Sequence, residues 1–270
     1  MINSNSSVAI VTGASTGIGR ASAEALAKAG FTVFGTSRKA NNNGPLGVTM
    51  LVADVTDDAS VKKLIDDILA KAGRIDLLVN NAGIGLEGAA EESSIAQVRA
   101  LFETNFLGVV RVTNAVLPVM RTQGSGRILN LSSAAGLVPM PYGAYYAATK
   151  HAIEGYSESL DHETREFGVR IALIEPGPTQ SSFEGSTVSA DTPLAAYKAG
   201  RAKYQIAFDS TMASAETVGS VSDTIIRAST DTKFNMRYPS GKIARQISFA
   251  RRFLPRSLFD KQLRKQFGLG

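Results

Sequence analysis

Six short apolar runs, at residues 8–11, 31–34, 48–52, 75–79, 127–131 and 169–174, alternate with amphipathic stretches near 18–29, 60–72, 95–120 and 145–167. Apolar runs this short read as strands buried on both faces, and the stretches between them have the length and periodicity of covering helices. Such alternation specifies a parallel sheet with helices on both sides, and right-handed crossovers make it a doubly wound α/β sheet. Gly30, Gly73 and Gly168 stand where a helix must stop and a strand begin, the usual place for a C-terminal glycine. No internal repeat or low-complexity linker interrupts the pattern, so residues 1–270 read as one domain.

Beyond 174 the texture changes. Pro176 and Pro178 break the chain, residues 179–193 are rich in Ser, Thr and Gly, and helical patterns resume at 193–208 and 216–228. Loops this long inside a compact domain are commonly functional. Residues 8–183 therefore read as the core, and 184–270 as a lid with C-terminal helices that cover a substrate.

Composition excludes several chemistries. There is no cysteine, hence no disulfide or thiolate nucleophile, and two histidines, His151 and His162, do not make a multi-histidine metal site; no metal is expected. The net charge of +5 is uneven: from Lys233 onward ten Lys and Arg face one acid, Asp260, and the rest of the chain carries −4. A basic tail on a mildly acidic body, without a recognisable reading motif, argues against nucleic acid. The first residues lack a signal-peptide pattern and no run reaches the ~18 apolar residues of a spanning helix, so a cytoplasmic protein is expected.

The run Thr12-Gly-Ala-Ser-Thr-Gly-Ile-Gly19 follows the first strand and opens a helix. Gly13, Gly17 and Gly19 permit a tight turn and close approach of a ligand to the backbone. The free N–H groups at the helix start favour a pyrophosphate. The spacing is GxxxGxG rather than GxGxxG, yet its place in the first βα unit points to a dinucleotide. After the second strand come Ser37, Arg38 and Lys39. An arginine here suits a ribose 2′-phosphate, where an acid would suit the free hydroxyl, so NADP(H) is expected over NAD(H).

Tyr146 and Lys150 are four residues apart in a helical stretch, hence on one face. Bringing a tyrosine from about 10 to about 7 needs roughly 4 kcal/mol. A charge at about 4 Å supplies that much at an effective dielectric near 20. The pair is therefore a candidate general acid–base. Tyr145 has Thr149 at the corresponding position, and His151 points about 100° away from Lys150.

With Asp54-Val55, Asn80-Asn-Ala-Gly83, Asn105, Ser132-Ser133 and Pro176-Gly177 falling in order around these motifs, the chain resembles the short-chain dehydrogenase/reductase family. GTSR at 35–38, NAGIGLEGAAEE at 81–92, FETNFLG at 102–108 and EPGPTQSSF at 175–183 are most similar to its 17β-hydroxysteroid and retinol dehydrogenase subgroup. The resemblance implies a Rossmann-type sheet and reversible hydride transfer between a nicotinamide and a carbonyl carbon. It implies that Ser15, Thr16 and Ile18 join the three glycines around the cofactor, and that Asp54 and Val55 hold the adenine. Asn81, Ala82 and Gly83 would line the ribose, and Pro176, Gly177 and Thr179 the nicotinamide. Ser133 would hydrogen-bond the substrate oxygen, Lys150 would hold the ribose and lower the Tyr146 pKa, and Asn105 would anchor a proton-relay water. Thr179 stands where many members have Val or Ile. A dimer or tetramer is implied by resemblance.

Residues 137–142, with Leu86, Phe183 and Tyr145, suggest an apolar pocket for a hydrophobic ketone, aldehyde or alcohol. In the tail, Ile243, Ile247, Ala250 and Leu254 form a stripe on a basic amphipathic helix. Packing over the pocket is the favoured reading, and weak contact with an anionic membrane the other. The rival functions are a 3-oxoacyl-carrier-protein reductase and, from another class, a non-catalytic dinucleotide sensor, which has no need of the Ser/Tyr/Lys set.

Overall fold

Along strand β1 (Val8–Val11), Val8 and Ile10 enter the core on one side of a sheet and Ala9 and Val11 the core on the other. This two-residue period on a fully apolar strand makes β1 the centre of a two-sided structure. The computed structural model describes residues 6–40 and 43–269, Arg252 by its backbone alone; the opening residues 1–5 lie outside them. Among the described residues β1 is joined by β2 (Thr32–Ser37), β3 (Val48–Val52), β4 (Leu77–Asn80), β5 (Gly126–Leu131), β6 (Val169–Pro176) and β7 (Arg237–Ser240). The sheet is parallel with the order β7-β6-β5-β4-β1-β2-β3. In register, Ile10 lies between Phe34 and Leu78.

One face is covered by α1 (Gly17–Lys28) and α7 (Val218–Thr230) through Ala23, Leu26, Val221 and Ile225. The other is covered by α2 (Asp58–Ala72), α4 (Gly108–Gln123) and α5 (Ala144–Thr164) through Ile68, Val116, Met120 and Leu160. Each fully buried Leu or Ile contributes about 1.5–3 kcal/mol. The helix ends follow local chemistry: the Asp57 carboxylate accepts the Ser60 N–H at 2.6 Å at the start of α2, and Gly73 ends it at φ 69°. Strand order reverses between β1 and β4, so a crevice opens at their carboxyl ends.

Three features depart from the sequence reading. The helix expected over 95–120 is α3 (Ile95–Phe102), a π-turn over Glu103–Leu107, and α4. Apolar periodicity does not register one inserted residue. Strand β7 was not foreseen because Arg-Tyr-Pro-Ser is short and polar; Pro239 is tolerated at a sheet edge, where Tyr238 and Ser240 turn inward. Because α7 and β7 complete the sandwich, the core extends past 183, and the lid proper is the segment through α6 (Lys198–Ala213) with α8 (Lys242–Phe253) and α9 (Arg256–Gln266).

Glu92 ties this lid to the core. Its side chain is fully buried and accepts from the N–H of Ala89 at 2.8 Å, the N–H of Leu194 at 2.7 Å and the Arg201 guanidinium at 2.7 Å. Removing it leaves a half-buried arginine and two amides without that acceptor. Glu92→Ala is expected to speed limited proteolysis within residues 181–197 by about tenfold, with the central sheet intact by circular dichroism; unchanged cleavage would show that other contacts hold the lid.

Candidate active site

Thr12 ends β1 with its hydroxyl accepting the N–H of Asn81 at 2.9 Å and of Ala82 at 3.0 Å. The Asn81 amide returns the bond to the carbonyls of Thr12 and Gly13, at 2.9 and 3.1 Å. The glycine turn is thereby fixed to the loop after β4. Gly13 and Gly17 have φ of 65° and 55°, and a Cβ on Gly19 would lie 2.3 Å from both the Gly13 carbonyl and Asn81 Nδ2. The backbone can lie this close only without a side chain. No side chain caps the start of α1 and no acid occupies its first turn, which leaves its N–H groups and positive dipole end facing the crevice.

The crevice is a cleft of about 880 Å³, a size typical of ligand sites. Gly13, Ser15, Thr16, Gly17, Ile18 and Gly19 line its floor; Ser37, Arg38, Asp54 and Val55 one end; Asn81, Ala82 and Gly83 the middle; Ser133, Tyr146, Lys150, Pro176, Gly177 and Thr179 the other end. Every residue expected at the cofactor is thus on one surface. Arg38 is exposed at the rim, whereas the Ser37 hydroxyl turns to the Lys39 carbonyl. The Thr56 N–H and hydroxyl, at 2.9 and 2.7 Å, hold the Asp54 carboxyl below its usual range, assisted by the nearby Arg38 charge.

Tyr146 and Lys150 share a face of α5, with Lys150 Nζ 5.6 Å from the Tyr146 ring centre. Burial pushes the phenol up to about 12, against the pull of a hydrogen bond from Ser133. Burial also lowers Lys150 to about 8, opposed by the charge of Glu154. Lys150 Nζ donates to the Leu131 carbonyl, 2.7 Å away. Helical spacing placed the pair correctly but carried no information on where Nζ points.

Asn105 lies behind the cleft wall in the π-turn and is 2% exposed. Its Oδ1 accepts the Ile84 N–H and its Nδ2 donates to the Ile84 carbonyl, both at 2.9 Å, with Thr149 Oγ1 at 3.4 Å. It pins the loop after β4 against α5. Among the described residues no group of three His, Asp or Glu is placed to hold a metal.

A carboxylate network under the site escaped the sequence reading. Glu154, one turn beyond Lys150, accepts from the Ser132 hydroxyl and from Arg237 on β7. Arg237 also reaches Glu175 at 2.5 Å and Glu158 at 2.8 Å. One guanidinium thus ties α5 to β6 at the residue before Pro176, and Glu154 adds the residue before Ser133. Burial raises Glu154 to about 7, and the Glu175 charge adds to this against Ser132 and Arg237. The signal available in sequence was Glu154 at i+4 from Lys150, but Arg237 lies 83 residues from Glu154 and 62 from Glu175 along the chain.

The rest of the lining joins many apolar side chains to polar ones such as Glu87, Glu184, Thr187, Thr211 and Gln266. Leu86, Val138, Pro139, Met140, Phe183, Tyr204, Phe208, Met212, Ile243, Ile247 and Phe267 face the cleft, with Gln205 and Asp209 among them. Of residues 137–142 only 138–140 reach it; Tyr142 packs on Tyr204 instead, with ring centres 5.1 Å apart. Tyr145 is half-buried outside the cleft. Phe183 lies 5.7 Å from the Tyr146 ring. The tail stripe divides: Ile243 and Ile247 face the cleft, while Leu254 is 46% exposed.

The chain is similar to known proteins over the same stretch. A family model described as short chain dehydrogenase matches residues 7–192. The 3-ketodihydrosphingosine reductase of Bacteroides thetaiotaomicron is 43% identical over 65% of this chain and 65% of its own length. Bos taurus retinol dehydrogenase 8 is 40% identical over 65% of this chain and 60% of its own. A short-chain dehydrogenase from Streptomyces avermitilis superposes with a TM-score of 0.83 at 32% identity, covering 98% of this chain and 99% of that one.

The Glu154 network has a consequence for stability. A carboxyl raised from 4.5 to about 7 on folding holds a proton that the unfolded chain has released. Its contribution is full below about 4.5 and is lost as pH rises to about 7. In thermal melts, the advantage of the native protein over Glu154→Gln is expected to shrink across that window. A difference independent of pH would show that Glu154 is ionised throughout.

Proposed function

The chain belongs to the short-chain dehydrogenase family and is an oxidoreductase of that class, and from that premise we propose that it reduces a hydrophobic, lipid-like ketone or aldehyde with NADPH. The observation that carries the reading is one cleft lined by the glycine turn, by Ser133, Tyr146 and Lys150, and by many apolar side chains. The side chain-free approach at Gly13, Gly17 and Gly19 and the uncapped start of α1 fit a dinucleotide pyrophosphate. Asp54, Val55, Asn81, Ala82 and Gly83 would hold its adenosine, and Lys150, Pro176, Gly177 and Thr179 its nicotinamide end. Bound there, the cofactor supplies the hydride.

The protein's own residues manage the oxygen and its proton. The Tyr146 hydroxyl, pushed up to about 12 by burial, keeps its proton at neutral pH and delivers it to the oxygen that becomes an alkoxide. Ser133 hydrogen-bonds the same oxygen and orients it. Lys150, at about 8, is mostly charged at neutral pH, and its field favours negative charge developing nearby. Relatives named for a ketodihydrosphingosine and for retinol support a long apolar substrate.

An NADPH-oxidation screen over long-chain ketones, steroids, retinoids, small aliphatic ketones and acyl thioesters tests the substrate class; turnover confined to acyl thioesters would overturn it. Tyr146→Phe is expected to lower turnover by about 10²–10⁴ while NADPH affinity changes little, and near-normal turnover would remove Tyr146 from the mechanism.

Arg38→Glu should weaken NADPH by about 10- to 100-fold, the worth of a charge-assisted hydrogen bond, with NADH affected far less. Equal loss for both cofactors would place Arg38 away from the 2′-phosphate.

A further inference from the structure

The inner side of the C-terminal helix pair is accounted for: Ile243 and Ile247 of α8 and Phe267 after α9 wall the cleft, and Phe267 packs on Tyr204 at 5.4 Å. The Arg251 guanidinium donates to the Leu137 carbonyl at 3.1 Å, anchoring α8 to the loop beside the site. Other large apolar side chains of the pair stand open to solvent. Phe249 is 66% exposed, Leu254 46% and Leu258 57%, and the Phe249 ring lies 4.7 Å from that of Phe253. At about 100° per residue, Phe249 is roughly 120° around α8 from Ile243, with Lys242 and Arg245 within about 40° on either side of it. From Lys233 onward the chain carries ten basic residues and one acid, Asp260, although its body is net negative. At the start of α8 Glu216 accepts the Lys242 N–H at 2.7 Å, and the Arg245 charge helps hold its carboxyl below the usual range.

We propose that α8 and α9 form a docking surface for an anionic lipid bilayer, which sets the apolar side chains of the cleft against the membrane interface. Aromatic and aliphatic side chains flanked by lysine and arginine on a surface helix are the chemistry of interfacial insertion: the rings enter the acyl boundary and the cations meet the headgroups. Charge decides the occupant, because a second copy of this chain would bring a like-charged tail to the same face. No helix among the described residues is long and apolar enough to cross a membrane, so the contact is peripheral. A lipid-like substrate would pass from the bilayer to the cleft under the same two helices. That last step rests on the proposed substrate class; the docking itself does not.

The test uses the full chain without cofactor or carbonyl, so its outcome is separate from that of the reductase reading. Co-sedimentation is measured with vesicles of phosphatidylcholine alone and with 30% phosphatidylserine or phosphatidylglycerol. Binding is expected with both anionic mixtures, much weaker on phosphatidylcholine, and falling steeply as salt shortens the Debye length. Arg245→Gln should lower the partition about fivefold, the equivalent of about 1 kcal/mol per basic residue. Phe249→Ser and Leu258→Ser, at exposed positions that leave the fold and reductase activity unchanged, should each lower it about tenfold or more. Three results would overturn the proposal: no binding to anionic vesicles, binding unaffected by the Phe249 and Leu258 substitutions, or a chain whose concentration-dependent dimer dissociates on Phe249→Ser.

Discussion

The Thr12 hydroxyl accepts two backbone N–H groups from the loop after β4, and the rest of the site depends on that bond pair. It closes the point where strand order reverses, so the glycine turn and the Asn81–Gly83 loop become one wall rather than two loops. Next to it, Asn80 donates to Thr113 at 3.0 Å and to Asn130 at 2.8 Å, and Asn130 donates to Ser157 at 2.9 Å. Buried amides without partners would be costly; with each partnered, they hold β4, β5, α4 and α5 in one register. Asn105 extends the scheme through Ile84 to Thr149. The strands that carry Ser133 and the helix that carries Tyr146 and Lys150 are thus positioned by buried polar bonds at their ends, over a core of aliphatic side chains.

Burial, more than charge pairing, sets the electrostatics. It raises Tyr146, lowers Lys150 and raises Glu154, in each case by disfavouring the charged form. The three groups follow one another along α5, and Glu154, whose charge reaches Lys150, is itself paired with Arg237 and feels the Glu175 charge. A change at the edge strand therefore reaches α5 through one guanidinium.

The lid follows another logic. Glu92 fixes its near end with buried hydrogen bonds, while α8 and α9 wall the cleft with a few apolar side chains and leave aromatic and cationic groups outside.

The order of strands and helices, the glycine turn, and the residues around the cleft were legible in the chain because each is a local signal: a two-residue or 3.6-residue period, a glycine where a side chain would clash, a tyrosine and lysine one turn apart. Strand β7, the π-turn at Asn105 and the Glu154–Arg237–Glu175 network were not. β7 is a strand only because β6 offers it a partner, and one inserted helical residue leaves the hydrophobic pattern unchanged. The network joins residues far apart in sequence, so no window along the chain contains it. Sequence by itself determined which residues meet at the crevice. Tertiary structure decided what surrounds them, because burial and the direction of the Lys150 Nζ, toward the Leu131 carbonyl, depend on what packs around them.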